Sequence, residues 1–480
     1  MNQAQGPKED LILYIDNPDT LPWDVEVDVF VIGGGGCGLV AALAAAERGA
    51  EVFLVEKEKA AGGNTSLSQA MVPAAGTRFQ KEAGIDDSPE LMAEDILKKN
   101  GYESNPELTL HVARESARLV HWLVDNVEIN FELVTDFLYP GHSRHRIHSN
   151  RSRKGVHLVN ELLQAAGRHK NILVGYNAPA KRLVATGSDN AVVGAEVEIQ
   201  GIGKNLARAK KVILALNGFA ANGEMLRKYI PEMSEAYYFG HEGNTGEGIL
   251  WGEALGAQLE CMGAYQAHGS VAYPHGTLLT WVVVTLGGYQ VNRGGKRFVN
   301  EYRGYSEHAL DVLNQEGGVA VEIFDQRIHD VVLNYEDFQQ CIESGAIRKF
   351  SDIEGLAEAF HLPPDELVRT HDEFQRAARG ESPDPLGRTE FGGPLEPPFY
   401  TAQVTGALFH TQGGLKVNHQ AQVIRGDGCP VPNLYAGGGT AVGFSGTSGP
   451  AGYSSANGLL AALVLGKIAG ESAANELKGA

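Results

Sequence analysis

The chain has 480 residues, which is enough for two or three domains and a large apolar core. Its formal net charge of −19 argues against binding to nucleic acid or to an anionic membrane surface. The four cysteines lie far apart and form no C-x-x-C pair, so we expect no metal site, no iron–sulfur cluster and no c-type haem.

The amino-terminal residues 1–25 are predicted to be a leader that packs on the first domain. The sequence MNQAQGPKED lacks the basic and apolar regions of a signal peptide. The chain has no run of about 18 apolar residues, the length that a membrane-spanning helix needs. We therefore expect no membrane span and a cytoplasmic location.

The strongest motif is a strand, a glycine turn and a helix. Residues 29–32 (VFVI) predict a buried parallel strand, and the alanine-rich residues 39–48 predict a helix. Between them lies a G-x-G-x-x-G pattern: Gly33 forms the tight turn, Gly35 lets the backbone approach a pyrophosphate, and Gly38 allows close packing of helix on strand. The free N–H groups at the start of the helix favour an anion. The alternative is a glycine-rich turn without a ligand.

A second strand, residues 51–55, ends at Glu56, whose carboxylate can accept hydrogen bonds from a ribose. A second glycine-led turn follows at residues 62–66 (GGNTS), and its backbone N–H groups can surround a phosphate. An ordinary polar loop is the other interpretation of this turn.

Further along the chain, Ser88 and Asn105 are predicted to cap two helices between residues 88 and 127, each with proline at the first helical position. Residues 156–167 predict another helix, and residues 172–178, 180–185, 192–198 and 211–215 predict strands. The basic stretch 142–153 (HSRHRIHSNRSR) has two interpretations: contact with an anionic group of a cofactor or substrate, or a solvated loop.

The composition changes near residue 222, where Trp, Tyr and His become common and the alternation of strands and helices becomes less regular. We predict an inserted α+β substrate or cap domain at 223–400. The glycine-rich pattern returns at 401–480, before an apolar helix at 459–468. The fold class is therefore α/β, with a Rossmann-like parallel sheet built from two chain segments, 1–222 and 401–480.

Six segments together resemble the flavoprotein family that includes soluble fumarate reductases and 3-ketosteroid dehydrogenases. They are VFVIGGGGCGLVAALAAAERGAEVFLVEK, GGNTSLSQA, LALNGF, VNRGGKRFVNE, HTQGGLKVN and LYAGGG. The resemblance covers nearly the whole chain and implies a bound FAD, with the cap domain closing over the flavin ring. In membrane relatives a histidine near the GGNTS turn binds FAD covalently; none follows Gly63 here, so we expect non-covalent FAD.

The glycine turns and the resemblance together predict the residues that bind FAD. They are Gly33, Gly35, Gly36, Gly38, Glu56, Lys57, Gly63, Asn64, Thr65, Ser66, Asn217, Gly218, Gly438, Gly439, Ser454 and Ser455. Gly439 stands where many relatives have a glutamate that contacts the flavin side of the site.

Fumarate reductases of this family hold a dicarboxylate with two histidines and two arginines. His268 and His410 match the histidines. The proton-donating arginine corresponds to Tyr305, Arg303 lies at the wrong offset, and no arginine follows Arg425. Because tyrosine lacks the bidentate fork of arginine, the sequence argues against a C4-dicarboxylate substrate.

The replacements resemble ketosteroid dehydrogenases. Residues 452–455 are similar to the G-Y-S-S turn of the Δ4-(5α) type, in which the tyrosine and the second serine act near the α-carbon. The resemblance therefore implies catalytic roles for Tyr453 and Ser455, with Tyr305 as the cap tyrosine and Tyr302 as its alternative. As the base, Tyr453 needs a pKa lowered from about 10 toward 7, with help from a helix N-terminus, Tyr305, Ser455 or His410.

The chemistry also needs a polarised carbonyl and a hydride acceptor. The start of the helix after Ser455 is predicted to supply backbone N–H groups as an oxyanion hole, and the flavin accepts the hydride. His410 has the alternative role of orienting the flavin or its loop.

These features leave several functions open. The first is FAD-dependent desaturation of a cyclic ketone, either a 3-ketosteroid or a smaller oxocyclohexane-type ring, with an external electron acceptor that the sequence does not identify. The second is reduction of an activated C=C bond in an unsaturated acid, which the two histidines and the basic stretch favour. Electron transfer or binding without substrate chemistry, and oxidation of an amine or hydroxy acid, are further alternatives.

Overall fold

The computed structural model describes residues 11–136 and 138–479, which form two compact units. The first contains the described residues of Met1–Ile230, Gly240–Tyr265 and His410–Ala480, and the second contains Pro231–Phe239 and Gln266–Phe409. The predicted insertion covers 223–400. Residues 223–230 and 240–265 of that range belong to the first unit, and residues 401–409 beyond it belong to the second. The latter continue a long strand, Phe399–Thr411. The predicted domain limits themselves stay predictions.

The strands of the described residues are β1 (Ile12–Ile15), β2 (Val25–Ile32), β3 (Val52–Val55), β4 (Val72–Pro73), β5 (Phe131–Leu133), β6 (Ile147–Asn150), β7 (Ile172–Gly175), β8 (Ala180–Thr186), β9 (Val192–Ile199), β10 (Gly203–Leu214), β11 (Tyr237–Tyr238), β12 (Leu259–Glu260), β13 (Gly263–Ala272), β14 (Thr277–Leu278), β15 (Tyr289–Val291), β16 (Val319–Asp325), β17 (Arg348–Phe350), β18 (Phe399–Thr411), β19 (Gly414–Leu415), β20 (Gln422–Ile424), β21 (Pro430–Ala436) and β22 (Ser448–Gly449).

The α-helices are α1 (Gly36–Ala46), α2 (Gly63–Leu67), α3 (Arg78–Glu82), α4 (Pro89–Lys99), α5 (Pro106–Asp125), α6 (Gly155–Arg168), α7 (Gly223–Tyr229), α8 (Glu247–Ala254), α9 (Val282–Thr285), α10 (Tyr305–Leu313), α11 (Gln326–Val332), α12 (Glu336–Glu343), α13 (Ile353–Ala359), α14 (Pro364–Ala378) and α15 (Asn457–Lys478).

The first unit is built on a mixed sheet in the order β1-β8-β9-β10-β2-β3-β7, with β21 beside β10 and β20 beside β21. The pairs of β2 with β3, β3 with β7, and β10 with β2 and β21 are parallel, which confirms the α/β class with a parallel centre. The pairs of β9 with β8 and with β10 are antiparallel. The polar start of β10 carries salt-bridged Lys204 and Arg208, which is why the sequence predicted only its apolar end.

Small residues allow α1 and α15 to pack closely in the first unit. Every residue of α1 is buried. A Cβ at Gly466 or Gly470 would lie 2.5 Å from Cys37 O or 2.2 Å from Ala41 O, so both positions need glycine. This packing fixes the N-terminus of α1 at the glycine turn, and α1 begins at Gly36 rather than at residue 39.

The predicted leader is partly described. Residues 1–10, including those of the signal-peptide prediction, lie outside the described residues. β1 pairs in parallel with β8, so residues 12–15 of the leader belong to the main sheet. The predicted caps are confirmed: Ser88 Oγ accepts a hydrogen bond from Leu91 N–H, and Asn105 Oδ1 accepts from Leu108 N–H.

The second unit contains a sheet whose strands follow the order β14-β13-β18-β16-β15, with β11 and β17 paired to β18. Its own core includes Tyr289, Phe324, Phe338 and Phe374, all fully buried. No helix among the described residues is long and apolar enough to cross a membrane.

Candidate active site

Two glycines of the first turn have no room for a side chain. Gly33 has a φ of +111°, and a Cβ there would lie 2.3 Å from Ala215 O. A Cβ at Gly38 would lie 1.9 Å from Gly33 O. Gly35 differs, because its Cβ would meet only Gly62 O, at 3.6 Å. The space in front of Gly35 is therefore free of protein, as close approach of a ligand requires.

Glu56 reaches back to the same turn from the end of β3. Its Oε2 accepts a hydrogen bond from Gly34 N–H at 2.7 Å, and its Oε1 accepts from Glu58 N–H at 2.9 Å. The structure thus places this carboxylate beside the glycine turn, where a ribose contact stays a prediction. Lys57 follows it, but its ammonium contacts Thr245 Oγ1 and Glu247 at 3.0 and 3.1 Å.

The second turn lies directly against the first. Gly62 N–H donates to Gly34 O at 3.2 Å, and Gly36 N–H donates to Thr65 Oγ1 at 3.1 Å. Ser66 Oγ donates to Gly63 O at 2.8 Å. These bonds join the start of α1 to the start of α2. Asn64 lies at the edge of this turn, where its Oδ1 accepts from His241 N–H at 2.8 Å.

Two further turns lie against these two. The third contains Asn217 and Gly218, and the fourth contains Gly438 and Gly439. A Cβ at Gly439 would lie 2.6 Å from Gly218 N and 2.9 Å from Asn217 Oδ1, so the glutamate of many relatives has no room here. A Cβ at Gly63 would lie 3.8 Å from Asn217 Nδ2, which brings the third turn to the second. Gly438, with a φ of +62°, packs against Cys37 in α1. Four turns, distant in sequence, therefore form one cradle of small residues and backbone N–H groups.

The turn before α15 places Tyr453 beside His410. The two rings are 5.6 Å apart and inclined at 73°. Tyr453 Oη accepts a hydrogen bond from Gly458 N–H at 3.4 Å. Burial nevertheless raises the pKa of Tyr453 above its ordinary value, and the Gly458 N–H opposes this only in part. The expected shift of this pKa toward 7 is therefore wrong, because desolvation of the phenolate outweighs the hydrogen bond from Gly458 N–H.

His410 is a neutral ring at physiological pH. Burial lowers its pKa to about 4. Gln412 donates its side-chain amide to His410 Nδ1 at 3.2 Å, while Ser445 Oγ donates to Gln412 Oε1 at 3.0 Å. The same Nδ1 also lies 3.3 Å from Thr411 O, so this nitrogen contacts both an amide donor and a carbonyl acceptor. A Cβ at Gly458 would lie 2.8 Å from His410 Nε2, so glycine is needed for the ring to pack on α15.

The backbone of Ser455 is held by a neighbouring loop. Ser455 N–H donates to Pro140 O at 3.0 Å, and Ser455 O accepts from His142 Nε2 at 2.9 Å. Asn457 N–H donates to Ser454 O. The N–H groups of residues 455, 457 and 458 therefore have protein acceptors, and the predicted oxyanion hole is not built from them. Ser454 Oγ is buried and has no hydrogen-bond partner among the described residues.

The basic stretch 142–153 is neither a solvated loop nor an anion site at its centre. Residues 147–150 form the buried strand β6. The Arg146 side chain is fully buried and contacts Asp87 at 2.9 Å and Asp95 at 2.7 Å. Both interpretations were wrong for Arg146, because two acidic partners distant in sequence neutralise it.

His268 and Tyr305 contact each other in the second unit. Their rings stack at 5.1 Å and 18°, and His268 also stacks on Phe409 at 5.5 Å and 17°. Phe409 stacks on Phe239 at 4.9 Å, and Trp281 meets His268 edge-on at 5.6 Å. Burial lowers the pKa of His268 to about 3, so this ring is neutral too. The result is an aromatic cluster in which His268 and Trp281 are buried, and which we call the ring stack (Phe239, His268, Trp281, Tyr305 and Phe409).

The arginines near Tyr305 have acidic partners. Arg303 binds Asp311 at 2.6 Å. Arg297 of the R-F-x-N-E motif forms two 2.8 Å bonds to the buried carboxylate of Glu301, and Arg388 lies 3.4 Å from the same carboxylate. Tyr302, the alternative cap tyrosine, is 39% exposed and belongs to no ring pair of the stack.

The sequence did not single out Phe239, Trp281, Phe409 or His142. The enrichment in Trp, Tyr and His beyond residue 222 was a signal for Trp281 alone of the three aromatic residues, and it has no spacing that would select that position. His142 fell within the basic stretch, where its neighbours suggested charge rather than a structural hydrogen bond.

Comparison with known proteins agrees with this geometry. Residues 28–454 match the family model described as FAD binding domain. The chain is 32% identical to a urocanate reductase from Eggerthella lenta over 459 residues, covering 94% of this chain and 75% of the relative.

Two solved structures are also similar. The open conformation of a flavocytochrome c3 fumarate reductase matches with a TM-score of 0.82 and 26% identity, over 98% of this chain and 82% of that one. A 3-ketosteroid-Δ4-(5α)-dehydrogenase from Rhodococcus jostii RHA1, solved with 4-androstene-3,17-dione, matches with a TM-score of 0.74 and 25% identity, over 96% and 100%.

The glycine cradle fits the cofactor that these comparisons indicate. It offers free space at Gly35, N–H groups at two helix starts and a carboxylate at Glu56. The chain belongs to the FAD-binding flavoprotein family of the fumarate reductases and 3-ketosteroid dehydrogenases, and it is an FAD-dependent oxidoreductase.

Proposed function

We propose that the protein desaturates a cyclic ketone next to its carbonyl group, acting on a 3-ketosteroid or a smaller oxocyclohexane-type ring. The ring stack carries this proposal. Its members are neutral and aromatic, and the two histidines that could meet a carboxylate have pKa values of about 3 and about 4. Such an aromatic cluster favours a flat, uncharged ring over an anion. The similar Rhodococcus jostii dehydrogenase was solved with a ring ketone.

Tyr453 is the proposed base. Removal of the α-proton requires the phenolate, which the Gly458 N–H stabilises by donating to Oη. Burial opposes ionisation, so the phenolate forms mainly at alkaline pH. FAD, bound in the glycine cradle, supplies the hydride acceptor. We propose that an imidazole N–H of His410, or the hydroxyl of Ser455, donates to the substrate carbonyl.

Tyr305 and His268 are proposed to contact the flat face of the substrate. Their mutual stacking at 5.1 Å fixes both rings, and His268 offers a neutral Nε2–H donor. We propose non-covalent binding of FAD, with acid precipitation expected to release it, and an external electron acceptor (oxygen, quinone or protein).

Reduction of an activated C=C bond in an unsaturated acid is the second candidate. One observation favours it: a raised pKa keeps Tyr453 protonated, as a proton donor requires. The name of the Eggerthella lenta relative is urocanate reductase. Against a dicarboxylate, Arg297, Arg303 and Arg388 of the second unit all have acidic partners.

Anaerobic flavin spectroscopy separates the two functions. Oxidised holoprotein mixed with a 3-ketosteroid or an uncharged cyclohexanone should lose its absorbance near the flavin maximum. Dithionite-reduced protein mixed with fumarate or urocanate should stay reduced. A spectrum unchanged by the whole panel of ketones, with rapid reoxidation by an unsaturated acid, would replace the first function by the second.

A further inference from the structure

The strand that carries His268 is held by hydrogen bonds from behind the ring stack. Ser270 N–H donates to His268 Nδ1 at 3.1 Å, which leaves the hydrogen of the neutral ring on Nε2. Ala267 N–H donates to Ser306 Oγ at 3.0 Å. Ser306 follows Tyr305 in α10, so both members of the stacked pair depend on this region.

Glu322 lies at the centre of these bonds. Its Oε2 accepts from Ser270 Oγ at 2.7 Å and from Gln290 Nε2 at 2.8 Å. The Gln290 amide also contacts Gly269 O at 3.1 Å and Ser270 Oγ at 3.0 Å. We call Ser270, Gln290, Glu322 and His308 the Glu322 clamp.

His308 ties the clamp to α10. It bonds Gln290 Oε1 through its Nε2 at 2.9 Å. A Cβ at Gly269 would lie 2.7 Å from His308 Cδ2, so the strand and the helix touch directly at a glycine. The clamp therefore joins β13, β15, β16 and α10 behind His268 and Tyr305.

The buried carboxyl group of Glu322 destabilises the folded protein. Glu322 is fully buried, and its Oε1 has no hydrogen-bond partner among the described residues. Burial raises its pKa to about 7, and the nearby charges of Glu301 and Arg388 act in opposite directions. An apolar residue would be the stable choice for an inner strand, so the carboxyl has a task that the core does not require.

We infer that Glu322 is a positioning residue, which holds His268 and Tyr305 in their stacked register through Ser270 and Gln290. Its effect on turnover rests on the proposed function. Its effect on the His268 ring does not, since that effect is present without substrate.

Two substitutions of Glu322 separate the effect of its hydrogen-bond acceptor from the effect of its side-chain volume. Glu322→Gln keeps an acceptor for both donors at nearly unchanged volume, whereas Glu322→Leu keeps the volume and removes the acceptor. Thr401→Val is the matched control, since Thr401 Oγ1 is a buried hydroxyl of the adjoining strand β18 without a partner among the described residues. Ser270→Ala removes one clamp bond and serves if Glu322→Leu does not fold.

The first readout is ¹⁵N NMR of the histidine rings in holoenzyme without substrate, with His268→Gln used to assign the His268 signals. Wild type, Glu322→Gln and Thr401→Val should show one Nε2–H tautomer of His268, and Glu322→Leu or Ser270→Ala should lose it. An unchanged His268 signal in both Glu322→Leu and Ser270→Ala would overturn the inference.

The second readout is turnover of a cyclic ketone. Glu322→Leu should lower kcat by roughly 10–100-fold at unchanged flavin content, and Glu322→Gln should restore it. Equal loss in Glu322→Gln and Glu322→Leu would overturn the inference. If wild type turns over no ketone, the proposed function fails while the NMR result still decides the role of Glu322.

Discussion

Gly458 N–H donates a hydrogen bond to Tyr453 Oη, across 3.4 Å, in the first turn of α15. The same glycine leaves room for His410, since a Cβ there would lie 2.7 Å from the imidazole Cε1. One residue without a side chain therefore supports both groups of the proposed proton transfer. Gly458→Ala is expected to displace His410 and to lower turnover at unchanged FAD content.

Removal of the Tyr453 hydroxyl tests its role directly. Tyr453→Phe should lower the rate of flavin reduction by a cyclic ketone by roughly 10²–10⁴-fold, because the base is lost. The flavin spectrum should persist, since the glycine cradle is untouched. Tyr289→Phe is the control: it removes another buried hydroxyl, bonded to His371 at 2.9 Å, and should leave the rate unchanged. Equal rates in Tyr453→Phe and wild type would remove Tyr453 from the mechanism.

The pH dependence of flavin reduction should reveal whether the pKa of Tyr453 is raised or lowered. Burial raises its pKa above the ordinary value of about 10, so the phenolate fraction increases about tenfold per pH unit through the neutral range. Stopped-flow flavin reduction by a ketone should therefore accelerate from pH 7 to pH 9.5 without a plateau. A plateau near pH 7 would contradict a raised pKa. In the reductive direction the phenol is the donor, and the rate should stay level over the same range.

The cradle can be tested at a glycine that touches no protein atom closely. Gly35→Ala should lower FAD occupancy while preserving the fold, because its Cβ would meet only Gly62 O at 3.6 Å. Gly167→Ala, on the surface of α6 with nothing within 4 Å, is the control and should bind FAD normally. Occupancy is measured by flavin absorbance per protein and the fold by circular dichroism. Full occupancy in Gly35→Ala would place the cofactor elsewhere.

Glu322 should make stability depend on pH. Its pKa rises from 4.5 to about 7 on folding, so its contribution to stability is present below about pH 4.5 and is lost as the pH rises through 7. Glu322→Gln removes this loss, which is on the order of 3 kcal/mol between pH 5 and pH 8.5. Thermal midpoints of the variant and wild type should diverge over that range, with the variant more stable at high pH. The surface variant Glu354→Gln should follow wild type, and parallel curves for Glu322→Gln would contradict the shift.

Local patterns predicted the first part of the site well. The strand, the glycines and the helix at residues 25–46 are adjacent in sequence, and each follows a local rule of sterics or propensity. Glu56 at the strand end and the caps at Ser88 and Asn105 are equally local. Such features depend on few neighbours, so the sequence alone predicts them.

Features that depend on burial were not predictable. Arg146 looks solvated because its partners, Asp87 and Asp95, are distant in sequence. The sign of the Tyr453 shift depends on how much water its hydroxyl loses, which no motif encodes. The stacking of Phe409 on His268 likewise follows from the pairing of long strands, so an aromatic count cannot select it.

The glycine cradle also combines turns that are made at very different times during synthesis. Gly439 lies against Asn217 and Gly218, and Gly62 is bonded to Gly34. The ribosome synthesises these turns from the first to the last. The cradle of a nascent chain is therefore incomplete until the turn at Gly438 and Gly439 has been synthesised. FAD can therefore meet the complete cradle only after the turns from both parts of the chain have come together.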